Sequence, residues 1–162
     1  CGSSEPGVLL SRIDATHPAY DQDDPRVVRN VFAGGDRWWR SNDVLEQDRD
    51  GDMWFRGRLH EVLRAEGRSV FMRPIEDALD AAAGVSLAVA FVVEGEATAV
   101  VVPRDGATLE REGIEAALAD LDAHQRPSAV YLANASDVQM TPGFRPMTRE
   151  LRGNLASMKR LL

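Results

Sequence analysis

Lysine is nearly absent from this 162-residue chain: among its 19 basic residues, Lys159 is the single lysine and the rest are arginines. Cysteine occurs once, which excludes an internal disulfide framework and a thiolate metal cluster. The three histidines are scattered without the spacing of metal ligands, so we predict no structural metal. Any cationic chemistry in this chain therefore depends almost entirely on arginine.

Other absences limit the class of protein. A net charge of −7 argues against a nucleic-acid groove, which needs clustered basic residues. No apolar run approaches the ~20 residues that span a bilayer, and the first seven residues lack the basic and apolar regions of a signal peptide. We therefore predict a cytoplasmic protein with one real core and a smaller lobe, without a transmembrane segment or a nucleic-acid partner.

Residues 50–67 are the stretch around which the chain is organised. An Asp-Gly turn at Gly51 leads into a short apolar strand at residues 53–55, followed by a Gly-Arg step at Arg58. A second short strand then ends at Gly67, where positive φ is readily adopted. On physical grounds alone this is an exposed hairpin with a surface arginine between two small pieces of β-structure.

The same stretch fits a longer pattern, Asp-Gly-x-x-Trp-Phe-x-Gly-Arg-Leu-x-x-x-(Ile/Leu)-(Lys/Arg)-x-x-Gly. It resembles the hinge motif of the adenylate-forming superfamily, which includes acyl-CoA synthetases, luciferases and peptide synthetase adenylation domains. The resemblance implies that residues 1–57 are the last β-subdomain of the N-terminal domain and residues 58–162 the mobile C-terminal lid domain. A protein that began with half of a β-barrel would leave strand edges unpaired, so we expect the sequence to begin within a longer enzyme.

Hydrophobic periodicity after residue 67 predicts an α+β fold, in which helices pack on about three strands. Ile75 and Leu79 define the apolar face of a first helix, and Thr108 is placed to cap a second. The continuous apolar run at residues 87–93 predicts a strand that is buried on both faces. The predicted elements are helix 73–82, strands 87–93 and 97–102, a helix after residue 108, strand 129–132 and helix 146–160.

A Trp-Trp pair followed by Ser41, Asn42 and Asp43 precedes the hinge pattern. Such a cluster is usually structural, with the tryptophans in the core and the polar residues at its rim. Its order, however, resembles the family motif aromatic-x-Thr-Gly-Asp-(Leu/Val), whose Asp holds the ribose hydroxyls of ATP. The resemblance implies this role for Asp43, while Asn42 stands where the family has Gly and tolerates left-handed φ better than most residues. The lead-in at residues 31–39, Val-Phe-x-x-Gly-Asp-x-Trp-(Phe/Trp), resembles the fatty acid transport protein and very-long-chain acyl-CoA synthetase branch, which includes the fatty-acid–CoA ligases.

The hinge resemblance implies three further roles. Arg58 would reach the ribose or phosphate of ATP in the adenylate-forming pose. The loop ending at Gly67 would line the pantetheine channel of CoA in the thioester-forming pose. His60 stands where the family hinge often has Asp, Lys or Gly. A histidine there could sense pH, and a tolerated exposed residue is the simpler interpretation.

Residues 141–151 resemble the family form Thr-Gly-Thr-Phe-Lys-x-x-Lys-x-x-Leu. The lysine after Phe is the family's catalytic residue, which stabilises negative charge between the attacking carboxylate and the α-phosphate of ATP. Here Arg145 takes this place, and Lys159 lies 14 residues further on. Since a planar guanidinium spreads the charge that a compact ammonium concentrates, we expect adenylation to be slow, altered or lost. The alternative without a functional role is that Arg145 is a solvated loop cation.

The resemblance implies that the parent enzyme is a fatty-acid–CoA ligase acting on a long or very-long-chain, or steroid-like, carboxylate. Its substrates would be ATP with Mg²⁺ and CoA, its partner the N-terminal domain of the same parent chain, and its location cytoplasmic or peripheral to a membrane. The family's phosphate loop and acid pocket do not occur in these residues, so this piece alone should be inactive. Two alternatives stay open: a degenerate, non-catalytic homologue that binds nucleotide or acyl-CoA, and a free-standing α+β module with an accidental motif match.

Overall fold

The computed structural model describes residues 5–14, 23–65 and 67–162. The chain forms two compact units, Cys1–His60 and Glu61–Leu162. Most of the loop expected at residues 14–25 lies outside the described residues. The first unit contains β1 (Gly7–Arg12), β2 (Val27–Arg29), β3 (Arg37–Gln47), β4 (Met53–Arg58) and most of a 3₁₀ turn, Leu59–Glu61. The second contains β5 (Leu63–Ala65), β6 (Arg68–Val70), α1 (Met72–Asp80), β7 (Val85–Val93), β8 (Glu96–Pro103), α2 (Arg111–Ala117), β9 (Ala129–Leu132), α3 (Thr148–Asn154) and β10 (Lys159–Arg160).

In the first unit, the long strand β3 holds an antiparallel four-stranded sheet together. β1 pairs along one edge of β3, and β2 and β4 pair with successive parts of the other edge. The β3–β4 connection closes on Asp48, whose carboxylate accepts hydrogen bonds from the backbone N–H groups of Asp50 and Asp52 and from the Trp54 indole. The indole hydrogen bond is the main cause that lowers the pKa of Asp48. The predicted Asp-Gly turn is present, with Gly51 at φ +94°.

The second unit is built on a sheet of order β10-β9-β8-β7, in which β8 and β9 are parallel and the other pairs antiparallel. Alternate residues of β7 face opposite sides of this sheet, as the pleat requires. Ala88 and Ala90 pack in the cluster that contains α1 and α2, and Val89 and Phe91 pack in the cluster that contains Leu151 of α3. The expected strand that is buried on both faces is thus present.

The α+β fold class is confirmed, with corrections to individual elements. Thr108 does not cap α2, whose N-cap is Glu110 without a side-chain cap hydrogen bond. The last helix is much shorter than residues 146–160: α3 gives way to a 3₁₀ turn at Leu155–Ser157 and then to β10. The short strand β6, which pairs with β5 across Gly67, has no distinct apolar run in the sequence and was not predicted. In the described part of the chain, no helix combines the length and the apolar character that a membrane span requires.

Candidate active site

Asp43 and Arg58 lie opposite each other on β3 and β4. An Nη1 atom of Arg58 is 2.8 Å from Oδ1 of Asp43, so the two side chains form a cross-strand ion pair. Both are partly exposed, at 29% for Asp43 and 38% for Arg58. The pair therefore presents a carboxylate and a guanidinium together at the surface of the first unit, where both can meet a polar ligand.

A β-bulge in β4 sets this pairing. Leu45 pairs with Phe55 but Val44 pairs with Gly57, so Arg56 is an extra residue in β4. Without this insertion, continuation of the register would put Gly57 opposite Asp43. Gly57 adopts φ +138°, which side chains of L-residues disfavour. Glycine at this position therefore permits the bulge that brings Arg58 to Asp43.

The segment before Asp43 is held by its own hydrogen bonds. The Ser41 hydroxyl donates to the Leu9 carbonyl at 3.2 Å and accepts a hydrogen bond from the Asp43 backbone N–H at 3.0 Å. Asn42 between them adopts φ +65°. The left-handed conformation expected for Asn42 in place of the family glycine is thus present, and it fixes the direction in which β3 presents Asp43.

A second ion pair on the same two strands provides a comparison. Arg56 Nε donates to Glu46 Oε2 at 2.8 Å, and the exposed fractions of these side chains, 34% and 22%, are close to those of the first pair. Similar geometry alone therefore does not distinguish a ligand site from a structural ion pair, and the distinction depends on the motif around Asp43.

The remaining hinge residues occupy turns. His60 is exposed in the 3₁₀ turn and is the last residue of the first unit. Gly67 adopts φ +76° in the β5–β6 hairpin, and a Cβ added there would meet no atom within 4 Å. The local structure at Gly67 therefore requires glycine for its backbone conformation and not for space.

Arg145 lies on a closed turn between β9 and α3, which we call the Arg145 loop (residues 140–146). The Thr141 N–H donates to the Arg145 carbonyl at 2.8 Å, and the Arg145 N–H donates to the Thr141 hydroxyl at 3.1 Å. A bridge between Met140 and Pro146 closes the base of the loop. The backbone of Arg145 is thus fixed on both sides while its side chain is exposed, which suits a cation that meets a ligand from outside.

The structure brings two of the predicted site residues, Asp43 and Arg58, into contact. Gly67 and Arg145 lie on different loops of the second unit. The sequence analysis did not predict the bulge at Gly57, although a glycine inside a strand is a signal for one. Within residues 5–14, 23–65 and 67–162, no group of three or more His, Cys, Asp or Glu side chains is placed to hold a metal ion.

Curated proteins with similar sequences are enzymes and transport proteins of fatty acids. The chain is 36% identical over 84 residues to long-chain fatty acid transport protein 5 of Homo sapiens, a match that covers 48% of this chain and 12% of that protein. It is 36% identical over 80 residues to the medium/long-chain-fatty-acid–CoA ligase FadD6 of Mycobacterium tuberculosis, covering 46% of this chain and 13% of the ligase. The matched segment thus spans about an eighth of each relative. No protein-family model matches the chain.

Solved structures with a similar fold are adenylate-forming ligases. The amide bond synthetase McbA of Marinactinospora thermotolerans matches with a TM-score of 0.71 and 27% identity, over 94% of this chain and 32% of that structure. ATP-bound MatB of Rhodopseudomonas palustris matches with a TM-score of 0.72 and 19% identity, over 95% of this chain and 31% of MatB. A fatty acyl CoA synthetase of Mycobacterium tuberculosis matches with a TM-score of 0.56 and 24% identity, over 74% of this chain and 24% of that structure. The chain is thus similar in sequence to fatty acid transport proteins and a fatty-acid–CoA ligase, and in fold to part of the adenylate-forming ligases, as its motifs predicted.

Proposed function

We propose that this chain is the C-terminal part of an ATP-dependent fatty-acid–CoA ligase, with residues 1–57 completing the N-terminal domain and residues 58–162 forming a mobile lid. The observation that carries the proposal is that the arginine of the hinge motif, Arg58, and the aspartate of the ribose motif, Asp43, meet at 2.8 Å. Both residues occupy positions that the hinge and ribose motifs assign to nucleotide binding. The names of the relatives, a fatty acid transport protein and a fatty-acid–CoA ligase, support the class of acid.

The proposed reaction has two steps. In the first, a fatty or steroid-like carboxylate attacks the α-phosphorus of ATP, the bond to pyrophosphate breaks, and acyl-adenylate forms. In the second, the thiolate of CoA attacks the acyl carbonyl, and AMP leaves with the bonding electrons. ATP enters as its Mg²⁺ complex, and the ATP-bound MatB neighbour supports nucleotide as a substrate.

Each site residue has a stated part in these steps. Asp43 accepts hydrogen bonds from the ribose hydroxyls, and charge-assisted bonds of this kind are among the stronger polar contacts. Arg58 orients the Asp43 carboxylate and contacts ribose or phosphate. Arg145 brings a positive charge to the junction of carboxylate and α-phosphate, while His60 lies at the hinge and Gly67 lines the CoA channel in the second pose.

The substitution of Arg145 for the family lysine favours a second candidate function. A non-catalytic homologue would keep the Asp43–Arg58 nucleotide site and bind ATP or acyl-CoA as a regulator, in the cytoplasm or at the membrane surface. Complete loss of one well-placed transition-state donor costs about 3 kcal/mol, roughly a hundredfold in rate, and arginine replaces only part of that interaction.

Titration calorimetry and a pyrophosphate-release assay on the full-length parent separate the two candidates. A ligase binds ATP and releases pyrophosphate only when a long-chain fatty acid is added. The non-catalytic homologue binds ATP or acyl-CoA without releasing pyrophosphate. A parent protein that binds neither nucleotide nor acyl-CoA contradicts both, and the 162-residue chain alone should release no pyrophosphate in any of these conditions.

A further inference from the structure

Phe144 is the most exposed large apolar residue of the described chain, with 88% of its surface accessible. It directly precedes Arg145 at the tip of the Arg145 loop. Its N–H donates to the Thr141 carbonyl at 2.9 Å, so the turn that displays the ring is closed by a backbone hydrogen bond. The ring is therefore presented to solvent by an ordered turn.

The backbone of Phe144 is also strained. Its φ is +57°, in the left-handed region where a side chain other than Asn, Asp or Gly is disfavoured. Glu94, Asn30 and Asn42 share positive φ among the described non-glycine residues, and their side chains are polar. The exposed ring gains almost nothing from burial on folding, while the left-handed backbone that displays it costs free energy. Strain without a packing benefit is the pattern expected where a side chain serves a bound ligand.

Arg145 indicates which ligand the ring meets. Consecutive Cα atoms are about 3.8 Å apart, so the two side chains can reach neighbouring groups of one small molecule. A cation beside an exposed aromatic ring complements an anionic head joined to an apolar chain. A fatty carboxylate has this composition, because its apolar carbons follow directly on the charged group, whereas in ATP the ribose separates adenine from the phosphates.

We infer that Phe144 contacts the substrate, packing on the first carbons of the fatty acid whose carboxylate is bound by Arg145. This inference rests on the proposed function and deepens it, because it assigns recognition of the acid, and not only of ATP, to the Arg145 loop. Burial of the ring also removes water from around Arg145, which strengthens the attraction between the guanidinium and the carboxylate.

Kinetics of the full-length parent test the contact. F144N removes the ring but tolerates positive φ, and we expect it to raise KM for the fatty acid by about tenfold to a hundredfold, the loss expected for one buried aromatic contact. KM for ATP should be unchanged. F144L keeps an apolar side chain and should restore KM for the acid to within about fivefold of the wild type, a residual that reflects a partial loss of contact area.

The strain argument has its own control. F144N should raise the midpoint of thermal unfolding by about 2 °C, since relief of left-handed strain stabilises the fold. E94N makes the matching change in the β7–β8 turn, where Glu94 is exposed at φ +49°. It should raise the midpoint similarly and leave both KM values unchanged.

A spectroscopic readout needs no turnover. F144W in the full-length parent should shift its fluorescence emission to shorter wavelength when a long-chain fatty acid is added with an ATP analogue that resists cleavage between the α- and β-phosphates. The wild-type parent, whose tryptophans include the three of this chain, is the reference and should show no such shift. Unchanged emission, or an unchanged KM for the acid in F144N, in a parent that binds ATP and fatty acid overturns the inference and leaves the proposed function standing. A wild-type parent that binds neither ATP nor fatty acid overturns the proposed function itself.

Discussion

Replacing Arg145 with lysine should increase adenylation by the full-length parent. Arg145 occupies the place of the family's catalytic lysine, and a compact ammonium concentrates charge where a planar guanidinium spreads it. One well-placed donor at a developing negative charge is worth about 3 kcal/mol, or about a hundredfold in rate. Since arginine keeps part of this interaction, we expect R145K to raise pyrophosphate release by about tenfold, which is less than the full hundredfold.

The structure indicates that this substitution tests chemistry and not folding. The loop is held by the backbone and hydroxyl contacts of Thr141, which involve no side-chain atom of Arg145. The Arg145 side chain is exposed, so R145K should change stability by no more than about 0.5 kcal/mol. Unfolding in urea, measured beside the activity, checks this expectation.

R149K is the matched control, because Arg149 is an exposed arginine on α3, four residues further along the chain. It should leave pyrophosphate release unchanged. If R145K is no faster than the wild type while both variants remain folded, the guanidinium of Arg145 is not the weak point of adenylation, and the assigned catalytic role is wrong.

Two further predictions concern the backbone of the site and the pH dependence of stability. G57A should strain the bulge at φ +138°, where it should destabilise the fold by about 1–3 kcal/mol and weaken ATP binding by displacing Arg58. G34A, at a glycine without positive φ, should change neither stability nor ATP binding. Unfolding in urea measures the stability, and calorimetry with ATP measures the binding. Burial, the largest cause, raises the pKa of Glu76, whose carboxylate accepts a hydrogen bond from the Ala90 N–H at 3.0 Å. The stability that Glu76 contributes is present below its ordinary pKa and is lost as pH rises through its raised pKa in the folded state. E76Q should therefore flatten this part of the plot of unfolding free energy against pH. An equally steep plot for E76Q would exclude Glu76 as the cause.

The sequence predicted the elements whose pattern is local and repeated. β7 and β8 are long apolar runs separated by a Glu-Gly turn, and α1 shows Ile75 and Leu79 four residues apart, so both predictions needed only periodicity. The motifs singled out Asp43 and Arg58 as site residues, and their pairing across β3 and β4 was seen only in the structure. The predicted features depend on residues close together in the chain.

Features that depend on tertiary contacts were missed. The apolar spacing of residues 147–158 continues through the end of α3, but the chain leaves the helix there so that β10 can pair with β9. The bulge at Gly57 depends on the register of β4 against β3, which periodicity in β4 alone does not report. Thr108 has the chemistry of a cap, but the helix begins only at Arg111.

The most direct test of the nucleotide site compares the affinity of the full-length parent for ATP in D43A and E46A. Each variant removes the carboxylate of one β3–β4 ion pair at 2.8 Å with similar exposure. Because Asp43 is assigned two charge-assisted hydrogen bonds to ribose, D43A should weaken ATP binding by about a hundredfold, and E46A should leave it unchanged. Equal affinities in the two variants would contradict the assignment of Asp43 and Arg58 to nucleotide binding.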